Sequence, residues 1–179
     1  MKNIKLFALL AVVGGVVACG EEKKTEQPKA SLPSAAAYKL ADEPGGDDEF
    51  GVYDARAEAP IDSAVVVGRV AEMTKGFAAF RLVDAALDYC GQKRKDECAT
   101  PWDYCCEAPD KIKAATISVQ LVDANGKIVK LDWGDDLRPC DLVALQGKVT
   151  KDEHGNVTVV ATKFFRSERP TIEWEVRWP

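Results

Sequence analysis

Ser63 to Met73 reads SAVVVGRVAEM and Asp141 to Lys151 reads DLVALQGKVTK, and the second stretch repeats the pattern of the first. Ala64, Val66, Gly68 and Val70 recur as Val143, Leu145, Gly147 and Val149. A period of two places each set on one face of a β-strand. Glycine inside a strand marks a sharp bend or a close backbone approach, which a small closed barrel demands of its longest strands.

Outward from these two strands, Phe77 to Asp84 follows a Lys75-Gly76 turn and completes a hairpin. Thr116 to Asp123 alternates, with Ile117, Val119 and Leu121 on one side and Ser118 and Gln120 on the other. Asn125-Gly126 is a strong hairpin signal, so Ile128 to Trp133 is expected to return as a strand with Val129, Leu131 and Trp133 inward. His154-Gly155-Asn156 turns the chain into a last strand, Val157 to Phe165. The expected fold is all-β: a small five- or six-stranded barrel with a cysteine-rich insertion between its second and third strands, after a disordered N-terminal tether.

Three of these stretches resemble the oligonucleotide- and oligosaccharide-binding (OB) fold, in its tRNA-anticodon-like subgroup. There a V-x-G-x-V strand opens the barrel, F-x-x-L-x-D follows, and G-D-x-V-x-V-x-G-x-V precedes a final hairpin. The matching residues are Val66 to Val70, Phe80 to Asp84 and Asp141 to Val149, within a likeness that covers about Ile61 to Arg166. Cys140 stands where that family usually has glycine, and the insertion at 89–110 has no counterpart in it.

Before the barrel, Met1 to Ala18 has the form of a secretory signal: Lys2 and Lys5, then an apolar run from Leu6 to Val17, then small residues. Val16-Val17-Ala18-Cys19-Gly20 resembles the lipobox of bacterial lipoproteins, which implies cleavage before Cys19 and fatty acyl chains of the palmitate kind on that residue. Several acyl chains anchor stably where one is marginal. Residues 19–60, rich in Ala, Pro, Glu and Asp, cannot supply a core and read as a flexible linker. These features imply a cell-envelope lipoprotein, membrane-anchored and facing the periplasm or the exterior. Residues 61–166 form the expected domain and 167–179 a C-terminal tail.

Four of the six cysteines lie in Tyr89 to Glu107, YCGQKRKDECATPWDYCCE, at 90, 98, 105 and 106. The spacing C-x7-C-x6-C-C leaves a disulfide framework, a metal site and a redox pair open. Zinc knuckles use C-x2-4-C, and neither gap fits one. Adjacent cysteines in an extended chain point to opposite sides, so Cys105 and Cys106 suit two bridges, to Cys90 and Cys98, better than one metal; a zinc or thiol-handling role is the alternative. Once Cys19 is lipidated an odd thiol is left, and Cys140 is the candidate. The segment Thr100 to Cys106, TPWDYCC, resembles a motif of uncharacterised secreted and lipoprotein sequences of planctomycete-type bacteria.

Catalytic groups are sparse. His154 is the one histidine and lies in a DEHGN turn, which excludes Ser-His-Asp and H-E-x-x-H chemistry. Asp132, Asp135 and Asp136 read as a solvated loop. No cofactor-binding fingerprint is present. A formal net charge of −5, about −7 once Lys2 and Lys5 leave with the signal, opposes phosphate-driven nucleic-acid binding. The expectation is a non-enzymatic binding module tethered to the membrane, with an envelope protein or glycan as ligand and Arg81, Trp102 and Tyr104 as its binding surface. A nucleic-acid-binding OB protein is the alternative that the fold alone suggests.

Overall fold

The computed structural model describes residues 32–93, 98–172 and 178. The proposed lipobox with Cys19, and most of the Lys93-Arg94-Lys95 run, lie outside the described residues. Six strands are formed: β1 (Glu49–Phe50), β2 (Ile61–Met73), β3 (Ala79–Val83), β4 (Thr116–Leu121), β5 (Leu142–Lys151) and β6 (Val157–Glu168). Short helices α1 (Val52–Glu58), α2 (Cys90–Lys93) and α3 (Pro109–Ala114) and a 3-10 turn at Ala35–Tyr38 complete them.

The strands run in the order β1-β2-β3-β4-β6-β5, and β2 pairs again with β5, so β2 to β6 close into an OB-like barrel with β1 as an extra strand. All barrel pairings are antiparallel except β4 with β6. The two glycine strands lie side by side, with Val66 opposite Leu145, Gly68 opposite Val143 and Ala64 opposite Gly147. Closure explains both glycines. A Cβ on Gly68 would stand 2.8 Å from Leu82 Cγ and 2.8 Å from the Val83 carbonyl, and one on Gly147 would meet the backbone of Val160 and Ala161.

The core is the inward set: Val66, Val70, Leu82, Ile117, Val119, Leu121, Val143, Leu145 and Phe164 are each 2% exposed or less. Ile128 to Trp133 differs from expectation. Val129, Leu131 and Trp133 are buried as predicted, but the segment forms only a single bridge, Val122 to Ile128, not a strand. Both edges of β4 are taken, by β3 and β6, so a returning strand has no ladder to join. The segment turns inward instead and plugs the barrel, with Trp133 edge-on to Phe80 at 5.8 Å and to Phe164 at 5.5 Å between ring centroids.

Residues 32–60, read from composition as the distal half of a flexible linker, are packed on the barrel. Ala35, Val52 and Ala55 are fully buried. Asp84, the last residue of the FRLVD stretch, accepts from Tyr53 N–H in the first turn of α1 at 3.0 Å and from Ala86 N–H at 2.9 Å. A polar composition thus conceals a few small apolar residues, enough for short elements that borrow a core they do not build. The tail expectation for 167–179 also changes. Strand β6 continues to Glu168, Arg169 grips Asp141, and Ile172 packs under the cysteine loop.

Candidate functional site

The long connection from β3 to β4 carries the cysteines, and it lies against the outside of the barrel. Leu87, Tyr89, Tyr104 and Ala115 from the loop form a second apolar cluster with Val83 of β3 and Cys140, flanked by Ala71, Trp102, Ile112 and Ile172. Outward positions of β2 and β3 that would face water in an open sheet are therefore covered. Arg69 is one of them. It is 8% exposed, donates to the Cys140 carbonyl at 3.1 Å, pairs with Glu168 at 3.6 Å and lies over the Tyr89 ring at 5.5 Å.

Two limbs of the loop face each other. Cys90 N–H donates to the Asp103 carbonyl at 2.8 Å and Gly91 N–H to the Pro101 carbonyl at 2.7 Å. A side chain on Gly91 would strike Pro101 and Ile172, 2.9 and 2.8 Å away, so this glycine permits the approach. Glu107 N–H donates to the Tyr104 carbonyl at 2.9 Å, which closes a β-turn with Cys105 and Cys106 as its two central residues. The expectation that these neighbours point to opposite sides assumed an extended chain. In the turn both sulfurs swing toward Cys90, whose Sγ stands 3.4 Å from that of Cys105 and 3.6 Å from that of Cys106. All three lie within 4.8 Å of one another. Among the described residues no disulfide is formed, so the two-bridge framework expected of this loop is not what the structure shows. Cys98 stands outside the group of three and approaches the Thr100 hydroxyl at 3.8 Å.

Electrostatics separate the thiols. Cys90 is buried, and burial pushes its pKa up to about 12, against the pull of a hydrogen bond from the Cys106 N–H. Cys140 lies apart from the group, fully buried, and burial likewise raises it to about 12 while Arg69 pulls it down. Its φ of 70° is left-handed, which accounts for the glycine that the OB-like pattern places there. The cysteine side chain is put to use: its Sγ donates to the Trp102 carbonyl at 3.6 Å and joins the barrel seam to the loop.

Beside this seam lies Asp141, fully buried. It accepts from Arg138 N–H at 3.0 Å and takes a two-pronged contact from Arg169, at 3.0 and 2.7 Å. Arg138 in turn covers the Trp178 ring at 4.2 Å and donates to the Pro170 carbonyl at 2.9 Å. This network ties Arg169, Pro170 and Trp178 to the seam; the sequence offered no sign of it, because its members are up to 40 residues apart in the chain.

The expected binding surface divides. Tyr104 is 4% exposed and its hydroxyl has no hydrogen-bond partner among the described residues, so it is a core residue of the loop. Trp102 is half-buried and tilted against Trp178 at 5.5 Å. Arg81 alone is exposed, on the outer face of β3 opposite Ser118. It lines a recess of about 330 Å³ with Glu72, Thr74, Ser118 and Gln120. Gln120 is shared with a second, shallower groove of about 790 Å³ that crosses to Gln146, Lys148, Thr150 and Thr162. Ser118 and Gln120 occupy the outward positions that the alternation of β4 predicts. The alternating polar positions of β5 and β6 were the available signal for the rest. His154 is exposed, 3.5 Å from Glu153, in a turn held by Asp152.

No protein-family model and no curated protein matches the chain. Among solved structures it is similar to OBody AM1L10 bound to hen egg-white lysozyme, at 14% identity over 64% of this chain and 90% of that one, with a TM-score of 0.34.

Proposed function

We propose that the chain is a membrane-tethered lipoprotein of the cell envelope whose barrel works as a non-enzymatic binding module, with an extended polar ligand of the glycan class on its outer face. The observation that carries this reading is the pair of recesses that meet at Gln120. Their walls present side-chain amides and hydroxyls from Ser118, Gln120, Gln146, Thr150 and Thr162, with cations at Arg81 and Lys148 and carboxylates at Asp62, Glu72 and Asp123. Such groups match the hydroxyls of a neutral sugar chain better than a polyphosphate, whose binding rests on a surplus of basic residues. Phe77 in the β2–β3 hairpin is 39% exposed, with Lys130 over one face of its ring at 5.8 Å, and it lines neither recess. The secretory leader, the lipobox and the acidic balance read from the sequence support the address and the anchor.

Titration of the isotope-labelled chain with peptidoglycan fragments and with chitin oligomers tests the reading. Amide shifts are expected to cluster on β3, β4 and β5, and Gln120→Ala is expected to weaken binding by about tenfold through one lost hydrogen bond. Shifts confined to the cysteine loop would overturn it. So would a tight, salt-sensitive complex with a single-stranded oligothymidylate, which would establish the nucleic-acid alternative.

A further inference from the structure

We propose that Cys90, Cys105 and Cys106 form a three-thiolate site for a thiophilic closed-shell cation, zinc being its divalent representative. The site is independent of the outer-face groove, which none of these residues lines.

Geometry comes first. A tetrahedral zinc with bonds of about 2.3 Å to sulfur holds its sulfurs about 3.8 Å apart. Cys90 already stands 3.4 and 3.6 Å from its two partners, and those two sulfurs lie within 4.8 Å of each other, so side-chain shifts of at most about an ångström would bring all three to the zinc spacing. The convergence is built by backbone rather than by chance. The paired limbs fix Cys90 opposite residues 101–106, and the Tyr104–Glu107 turn brings both neighbouring sulfurs round to it.

Chemistry then selects the ion. Soft thiolates favour zinc or copper(I) and disfavour magnesium and calcium, which prefer oxygen. Cys90 is buried while Cys105 and Cys106 are exposed, so a fourth position faces solvent and is open to water or an outside ligand. On binding, each of the three thiols gives up its proton to solvent, and the thiolates bind the ion with no change of oxidation state. A disulfide uses this arrangement poorly. Cys90 faces two sulfurs and can bond to one, and a bridge between adjacent Cys105 and Cys106 strains the peptide that joins them.

The test uses the full chain, isolated in detergent without added metal or reductant, with zinc measured by native mass spectrometry. The same chain, reduced and stripped, is then titrated with zinc and, separately, cadmium, whose thiolate absorption reports sulfur ligation directly. One ion per chain with release of protons is expected. Cys105→Ser and Cys106→Ser are each expected to weaken binding by at least about a hundredfold, beyond the usual loss from an outer contact. Both positions are exposed, so circular dichroism should show the fold intact, and Cys98→Ser should bind as the parent does. Copper(I) that displaces zinc with the same dependence on Cys106 assigns the site to the monovalent member of its class. Failure of the reduced chain to retain zinc or copper(I) overturns the proposal. Retention unchanged in Cys106→Ser does so too, as does a chain from cells in which Cys90 is bonded to Cys105 or Cys106.

Discussion

The barrel wall and the cysteine loop are ordered by different forces. In the wall, each of β2 to β6 has a partner on both sides, and what limits closeness is the space between backbones at Gly68 and Gly147. In the loop, among the described residues, order comes from short α2 and α3, a few backbone bonds and an apolar patch shared with the outside of β2 and β3. The wall is self-sufficient, whereas the loop is a guest on it. Substitutions in the wall or at the seam should therefore destabilise the whole molecule, and substitutions in the loop should be absorbed.

The largest effect is expected at the seam. Asp141→Ala leaves Arg138 and Arg169 without their buried counter-charge, and the loss should reach about 4 kcal/mol, read from urea denaturation. A loss under about 1 kcal/mol would mean that water replaces the carboxylate and that the seam is not buried in solution. Next comes Gly147→Ala, which drives a methyl into the β6 backbone and should cost about 3 kcal/mol. Gly68→Ala should cost less, because the Leu82 side chain can give way even though the Val83 carbonyl cannot. Equal costs at the two glycines would break the account of closure.

Alkaline pH should expose the shared thiol of wall and loop. The folded state raises Cys140 from an ordinary 9.0 to about 12. Its contribution is therefore complete below pH 9 and is lost as pH climbs toward 12. The reduced chain should lose stability over that interval, and Cys140→Ala should shrink the dependence by its own share, leaving the part that buried Cys90, also raised to about 12, contributes. The smallest effect is expected inside the loop. Tyr104→Phe removes a buried hydroxyl that has no partner among the described residues, so stability should stay level or rise by up to about 1 kcal/mol. A clear loss would mean that the hydroxyl is bonded in solution.

How far the sequence could be read follows the same division. Period-two alternation exposed the inward faces of β2, β4 and β5, since in a wall the pattern is the structure. It failed at Ile128 to Trp133, because alternation reports burial and not whether a neighbouring edge is vacant. It failed again at Cys105 and Cys106, where a turn rather than a strand sets the side-chain directions. The short elements in 32–60 were hidden by their polar neighbours. Of the binding-face residues, Arg81 was legible as an outward position in β3, whereas Trp102 and Tyr104 were drawn inward by an apolar cluster assembled from six separate parts of the chain.

The strap formed by residues 32–60 has a mechanical consequence. A pull on the chain from its N-terminal side first meets scattered attachments: Lys163 on the Ala37 carbonyl at 2.8 Å, the Leu40 N–H on the Phe164 carbonyl at 2.8 Å, the two-residue β1 with the Val65 N–H on the Asp48 carbonyl at 2.9 Å, and α1, held by buried Val52 and Ala55 and by Arg56 on the Thr116 carbonyl at 2.8 Å. Only beyond these does the load reach β2, clamped between β3 and β5. The strap should come away one bond at a time at low force, and about thirty residues would extend by up to roughly 100 Å while the barrel stays shut. It would act as a shock absorber. A single-molecule extension trace should show that lengthening as an early step well before the barrel ruptures, and a trace with only one rupture would show that strap and barrel fail together.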